Sequence, residues 1–277
     1  MAISVNTNLA SLVAQNSLRT STNSMNSAME KMTTGYRINS AKDDAAGLAI
    51  ATTFNTQIRG SKVADKNIQE GANLLQTAEG ALGTMEDNLN RIRDLAVQAS
   101  NDTNSTASRL AIQKEVEARI AEINDTAAKT NFNGVELLSA NAATSLTLQV
   151  GANSSDSLAL ENIFGNASAG ALGITSAADA AFVDGDSARS FIDEVDAALA
   201  SVSAKRAEIG AYQNRLEAKL DNINVTIENF TAAKGTIMDA DIAAESTNYI
   251  NSQILQQTST SLLATANQAP SIALSLI

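Results

Sequence analysis

Apolar residues recur every seven positions over a long stretch of this chain, and this spacing limits the folds available to it. About five heptads are filled, which corresponds to roughly 48 Å of helix at ~1.5 Å per residue. The only proline is Pro270, so the commonest helix breaker is absent from nearly the whole length. The pattern predicts a long helix with a packed stripe. Its two rows are Ile68, Leu75, Leu82, Leu89, Ala96 and Gly71, Ala78, Met85, Ile92, Ala99.

A second long row, far away in sequence, has the length needed to pack beside the first. It consists of Val195, Val202, Ile209, Leu216, Ile223 and Phe230. In the adjacent row Arg206 and Gln213 interrupt the apolar set, and such polar positions commonly fix the register between helices. Periodicity alone fits an ordinary helix bundle equally well. The length of both rows favours a mainly α fold built as an elongated antiparallel bundle or coiled coil.

Both ends of the chain combine apolar residues with an absence of charge. Residues 1–18 carry no charged side chain, and none follows Glu245. Uncharged polar side chains suit a helix surrounded by copies of itself, because a buried charge costs more than a buried amide that finds partners. Poorly folded polar tails are the alternative. We expect the ends to pair and to carry polymerisation through Ile3, Val5, Leu9, Leu12, Ile254, Leu255, Leu262 and Leu263.

Between the helical stretches the period changes from seven to two. Leucines at 146 and 148, and again at 158 and 160, alternate with other residues on either side of a Gly-, Asn- and Ser-containing turn. This predicts a small β-hairpin near residues 146–160. Residues 161–188 are predicted to form a short variable tip.

Local signals predict where turns and helices begin. Asn133-Gly134 is a strong turn sequence. The spacing of Ser40 and Asp43 predicts a capping box before a helix near residue 45, and the spacing of Thr236 and Asp239 repeats it. Capping explains these carboxylates better than a metal or acid–base cluster does.

Composition excludes several classes of function. The chain of 277 residues contains no histidine and no cysteine. This excludes Ser-His-Asp and Cys-His catalysis and almost every transition-metal site, so we expect no enzyme activity and no cofactor. The net charge of −11 argues against nucleic acid and against anionic membranes. Residues 1–8 do not form a Sec-type signal peptide, and we expect no membrane span.

Several stretches resemble the terminal regions of bacterial flagellins. In the first half these are GYRINSAKDDAAGLAIA at residues 35–51, LNRIRDLAVQA at 89–99 and NFNGV at 131–135. In the second half they are IGAYQNR at residues 209–215, QILQQ at 253–257 and ANQAP at 266–270. The resemblance covers roughly residues 1–153 and 189–277.

The resemblance implies a short flagellin that lacks the outer D2 and D3 domains. Residues 1–44 with 236–277 would form a discontinuous D0-like terminal coiled coil, and residues 45–235 a D1-like helical rod. The function implied is that of a structural subunit of the extracellular flagellar filament, exported by flagellar type III secretion without a cleaved signal peptide. The implied partners are identical subunits in a homopolymer, a secretion chaperone, the filament cap and hook-associated junction proteins.

The resemblance also implies a host contact and surface modification. Many flagellins are bound on the D1 helices by Toll-like receptor 5, and the matching positions here are Arg91, Leu95 and Glu115. These residues could instead serve only protofilament contacts. Candidate O-glycosylation sites are Ser154, Ser155, Ser157 and Ser168. The alternative functions are a hook–filament junction protein and a surface adhesin or innate-immune ligand.

Overall fold

A computed structural model describes residues 7–174, 182 and 184–274, with side chains up to residue 268. Its elements are α1 (Leu9–Thr34), α2 (Ala45–Ala99), α3 (Thr106–Lys129), β1 (Asn131–Phe132), β2 (Val135–Glu136), β3 (Ser145–Gln149), β4 (Ser157–Glu161), α4 (Gly185–Met238) and α5 (Ile242–Leu274). The mainly α class with a small β-hairpin is therefore confirmed.

The chain separates into two compact units. One consists of residues 1–57 and 228–277, and the other of residues 58–227. Both boundaries fall inside a continuous helix, α2 or α4, whereas the sequence suggested boundaries at helix ends. The D0-like and D1-like ranges stay a prediction.

The core of the unit of residues 58–227 is formed by the long heptad rows. The apolar residues of both α2 rows are buried from Ile68 to Ala99. The row of α4 is buried from Val195 to Ile223. The interrupting positions make polar contacts between the two helices. Arg206 donates to Glu86, and Gln213 donates to Glu79 at 2.9 Å. Residue numbers therefore increase along α4 in the direction in which they decrease along α2. These two helices are antiparallel.

The two hairpins are short and antiparallel. In the β3–β4 hairpin Leu146 pairs with Leu160, and Leu148 pairs with Leu158. Its position agrees with the prediction near residues 146–160. The smaller β1–β2 hairpin turns at Asn133 and Gly134, whose φ values of 50° and 81° lie in the left-handed region that an Asn-Gly turn favours.

The helix starts differ from the predicted capping boxes. Asp43 does accept hydrogen bonds from the backbone N–H groups of Asn39 and Ser40, and these bonds lower the pKa of Asp43. The residue that caps α2, however, is Asp44, which accepts from the N–H of Gly47 at 2.9 Å. The prediction at Thr236 was wrong, because α4 continues to Met238. The carboxylate that caps α5 belongs to Asp241, which accepts from the N–H groups of Ala243 and Ala244.

Candidate assembly surface

Helices α1 and α5 form an antiparallel pair that buries small residues. On α1 the buried residues are Ser11, Ala14, Ser21 and Ala28, and on α5 Ser252 is buried. Small side chains let the two backbones approach closely, and the two helices are in contact along the pair. Three larger residues of α1 that are also spaced seven apart, Leu18, Met25 and Met32, are only half-buried. Little apolar surface is therefore removed from water between these two helices.

Polar side chains fix the register of this pair from end to end. The Asn8 amide donates to the carbonyl of Ala266 at 2.7 Å, and the hydroxyl of Ser11 donates to Asn267 at 2.9 Å. Farther along, Gln256 donates to Thr22 at 3.3 Å. At the other end Lys31 forms an ion pair with Glu245 at 3.2 Å. Among the described residues this is the ion pair that joins α1 to α5, and the remaining bridges are uncharged.

The outer faces of α1 and α5 expose large apolar side chains. Exposed fractions between 54% and 71% are found for Leu9, Leu12, Ile254, Leu255 and Leu262. Leu263 is half-buried, and Ile3 and Val5 lie outside the described residues. The structure thus brings the six described residues of the predicted polymerisation set onto one helix pair. It also adds Val13 and Ile250, which are about as exposed and which the sequence analysis did not select.

A groove of about 800 Å³ runs between the two helices. Val13, Leu255 and Leu262 line its apolar part, and Asn16, Ser17 and Thr258 are among its polar residues. No charged side chain lines it within the described part of the chain. Such a groove can take an apolar or amide-bearing surface at little desolvation cost, whereas a charged surface would lose its hydration there.

The segments that follow α1 and precede α5 are bound to each other. The N–H of Arg37 donates to the carbonyl of Met238 at 2.6 Å, and the N–H of Ala240 donates to the carbonyl of Gly35 at 2.9 Å. The Arg37 guanidinium also donates to the carbonyl of Ile237. Phe54 stacks on Phe230 with ring centroids 5.5 Å apart. These contacts join the N-terminal and C-terminal halves of the same unit.

The predicted receptor residues do not all lie on the surface. Arg91 and Glu115 form an exposed ion pair of 2.9 Å between α2 and α3. Leu95 is only 2% exposed. It lies on a third row of α2 with heptad spacing, in which Leu74 and Asn88 are also buried. The structure therefore leaves Arg91 and Glu115 available for contact and places Leu95 in the core.

The candidate glycosylation sites differ in accessibility. Ser154 and Ser155 lie in the turn between β3 and β4, Ser157 begins β4, and all three are exposed. Ser168 is half-buried after the hairpin. Over residues 7–174, 182 and 184–274 no helix is long and apolar enough to cross a membrane. No group of acidic side chains suited to a metal ion was found in those residues.

Comparisons with known proteins agree along almost the whole chain. The family model "Bacterial flagellin N-terminal helical region" matches residues 5–143, and "Bacterial flagellin C-terminal helical region" matches residues 192–277. A flagellin of Halalkalibacterium halodurans is 40% identical, with 99% of both chains covered. The "Flagellar filament 33 kDa core protein" of Treponema phagedenis is 37% identical, again with 99% of both covered. The crystal structure of Bacillus cereus flagellin shares 32% identity and a TM-score of 0.50, over 57% of this chain and 88% of that one.

Proposed function

The chain belongs to the bacterial flagellin family and is a structural subunit of the flagellar filament, and we propose that it polymerises through the outer faces of the α1–α5 pair. In this proposal Leu9, Leu12, Ile254, Leu255, Leu262 and Leu263 are covered by neighbouring subunits, together with Ile3 and Val5. The relatives that match over the full length are named flagellin or flagellar filament core protein, which favours this function over a junction protein or an adhesin.

One observation carries the proposal. The α1–α5 pair exposes large apolar side chains and lacks charge over most of its length, although it buries mainly alanine and serine inside. Complete burial of one exposed leucine side chain stabilises an assembly by about 1.5–3 kcal/mol. Contact with neighbouring subunits would therefore bury more apolar surface of α1 and α5 than the contact between the two helices does.

A substitution at Leu255 tests whether this face is buried in the filament. We expect Leu255→Glu to stop seeded elongation, because the carboxylate would have to lose its hydration against an uncharged neighbour. Leu255→Gln is the matched control, with nearly the same shape and no charge, and it should slow elongation much less. Elongation of the Leu255→Glu protein at the rate of the unsubstituted protein would show that neighbours do not cover this face.

We further assign residues 1–44 with 236–277 to a D0-like coiled coil and residues 45–235 to a D1-like segment. Export by flagellar type III secretion and a chaperone that holds the C-terminal region are consistent with apolar side chains that α5 exposes in a single subunit. The filament cap and the hook-associated junction proteins are the other proposed partners. A chaperone that protects α5 should lose affinity when residues 242–277 are deleted, which a pull-down with the purified chaperone measures.

A second proposed role is recognition by Toll-like receptor 5. The exposed Arg91–Glu115 pair supports it, because both side chains present charge on adjacent helices. We expect Arg91→Ala to lower the activation of receptor-bearing cells by purified monomer. Equal activity of the Arg91→Ala protein and the unsubstituted protein would contradict this role.

The flagellin family is structural, and we propose no catalytic role and no cofactor for this chain. O-glycosylation is proposed at Ser154, Ser155 and Ser157, whose exposure in and beside the hairpin turn supports it. Ser168 is the weaker candidate, because it is half-buried. Mass measurement of filaments before and after deglycosylation tests all four positions.

A further inference from the structure

The turn of the β1–β2 hairpin holds the one Asn-Gly pair of the chain, Asn133-Gly134. Both residues are exposed, with φ values of 50° and 81°. The side-chain amide of Asn133 and the N–H of Gly134 make no hydrogen bond with another described residue. A Cβ atom added to Gly134 would meet no atom within 4 Å. The amide carbon and the backbone nitrogen that follows it are therefore unprotected, and the space around them is open.

The β1–β2 hairpin is small enough to open locally. It consists of two residue pairs, and both residues of β2, Val135 and Glu136, are exposed. A two-stranded hairpin is only marginally stable by itself in water. Segments with few buried contacts open at a low cost in free energy. Because Gly134 has no Cβ atom, its N–H can swing toward the Asn133 side chain when the turn opens.

Two similar places in the chain each lack one of these features. Asn162 is also exposed and has a φ of 63°, but the residue that follows it is Ile163, which is β-branched and fully buried. The one Asp-Gly pair, at residues 184–185, is held at the start of α4. There the carboxylate accepts hydrogen bonds from the N–H and the hydroxyl of Ser187. Asn133 therefore combines an unbonded side chain with an unhindered nitrogen on the next residue.

We propose that Asn133 undergoes spontaneous deamidation through attack by the backbone nitrogen of Gly134. In this reaction the nitrogen loses its proton and bonds to Cγ of Asn133, and the side-chain amide nitrogen leaves as ammonia. Water then opens the resulting succinimide ring at either of its two carbonyl groups. Opening at one carbonyl gives aspartate, and opening at the other gives isoaspartate, in which the backbone runs through the former side chain. The overall reaction consumes water, releases ammonia and needs neither an enzyme nor an oxidant.

Both products change the protein beside a part of its core. Each adds a negative charge to a chain whose net charge is already −11. Isoaspartate also lengthens the backbone between β1 and β2, and the length of a hairpin loop fixes the register of its strands. Strand β2 leads directly into Leu137 and Leu138, which are fully buried, and the N–H of Leu137 donates to the carbonyl of Thr130 at 3.1 Å. We therefore expect the isoaspartyl protein to be less stable than the original.

Ageing of the full-length monomer in mildly alkaline buffer tests the proposal. No filament is needed, so the outcome is independent of the proposed self-assembly. Peptide mapping by mass spectrometry measures amide-to-acid conversion at each asparagine, and methylation by an isoaspartyl methyltransferase measures isoaspartate. We expect Asn133 to convert at least about tenfold faster than Asn162, because Gly134 lacks the steric barrier that Ile163 presents. A smaller difference in rate, or the formation of aspartate without isoaspartate, would overturn the proposal.

Two variants identify the reacting atoms. Gly134→Ala keeps the amide and adds a Cβ atom beside the attacking nitrogen, so conversion at Asn133 should slow at least about tenfold. An unchanged rate in this variant would overturn the assignment of the nucleophile. Asn133→Gly removes the amide and suits the same turn, because Gly-Gly is favoured in type I′ hairpins. On ageing, the urea midpoint of the unsubstituted protein should fall and that of Asn133→Gly should not. Equal changes in the two proteins would contradict the effect on stability.

Discussion

Gly60 of α2 lies directly against Ala152 in the turn of the β3–β4 hairpin. A Cβ atom at position 60 would come within 2.8 Å of the Cβ of Ala152 and within 3.2 Å of its Cα. The amide of Asn67, two turns along the helix, donates to the carbonyl of Gln149 at 3.2 Å. The missing side chain at position 60 therefore lets the hairpin rest on the helix.

Gly60→Ala should lower the free energy of unfolding by about 1 kcal/mol, because overpacking costs about 1–3 kcal/mol and exceeds the helix-propensity gain of about 1 kcal/mol. Gly80→Ala is the control on the same helix, where an added Cβ meets no atom within 4 Å. It should stabilise the protein by up to about 1 kcal/mol. Urea unfolding of both variants measures the difference, and adding Ala152→Gly to Gly60→Ala should recover stability. Equal effects at positions 60 and 80 would contradict the contact.

Leu95→Ala should lower the free energy of unfolding by about 2–5 kcal/mol, since the leucine is buried and its loss leaves a cavity. Arg91→Ala, one turn away, should change it by no more than about 1 kcal/mol, because the Arg91–Glu115 pair is exposed. Denaturant midpoints test both values. Unchanged stability of the Leu95→Ala protein would show that this side chain is not part of the core. Leu95 would then again be a candidate for receptor contact.

The pair formed by Arg93 and Asp196 predicts a pH dependence. The hydrogen bond from Arg93 lowers the pKa of Asp196 below its ordinary 3.8. The stabilisation is therefore fully present well above pH 3.8 and is lost as the pH falls through the lower, folded-state pKa. The difference in urea midpoint between the unsubstituted protein and Asp196→Asn should be largest near neutral pH and smallest near pH 2. A difference that grows on acidification would contradict the pairing.

Arg109 binds the end of α2. Its side chain is 9% exposed, and it donates to the carbonyl of Ala99 at 3.0 Å, to that of Asn101 at 3.3 Å and to Asp102 at 3.2 Å. Arg109→Met should lower the free energy of unfolding by about 2–4 kcal/mol, because a buried carbonyl at the helix end loses its donor. Arg189→Met is the control, since Arg189 approaches the same Asp102 from a mainly exposed position. Comparable losses in the two variants would contradict this role.

The long helices were predictable because their signal is repeated. Each heptad of residues 68–99 and 195–223 repeats the same apolar positions, and the structure buries these rows as expected; Phe230, at the end of the second row, is only half-buried. Arg206 and Gln213 were also predicted to set register, and both bind carboxylates on α2. A seven-residue repeat predicts the buried face of a helix when the repeated positions hold large apolar side chains.

The α1–α5 interface was harder to predict in detail. Two sets of residues on α1 are spaced seven apart, and the buried set contains Ala14, Ser21 and Ala28 rather than the larger Leu18, Met25 and Met32. Hydrophobicity alone does not indicate the buried set here, because close approach of two backbones favours small side chains. The burial of Leu95 was missed for another reason. Its row contains Asn88, whose amide donates to the carbonyl of Thr84, and a buried polar residue hides the apolar period.

Assembly leaves a direct signature in the backbone amides of α1 and α5. Hydrogen–deuterium exchange of residues 9–34 and 242–268 should be compared between the monomer and the seeded filament, with residues 68–99 of α2 as the internal reference. Burial of the outer faces by neighbouring subunits predicts exchange at least about 100-fold slower in the filament for α1 and α5. Exchange rates in α1 and α5 that are the same in monomer and filament would contradict assembly through this helix pair.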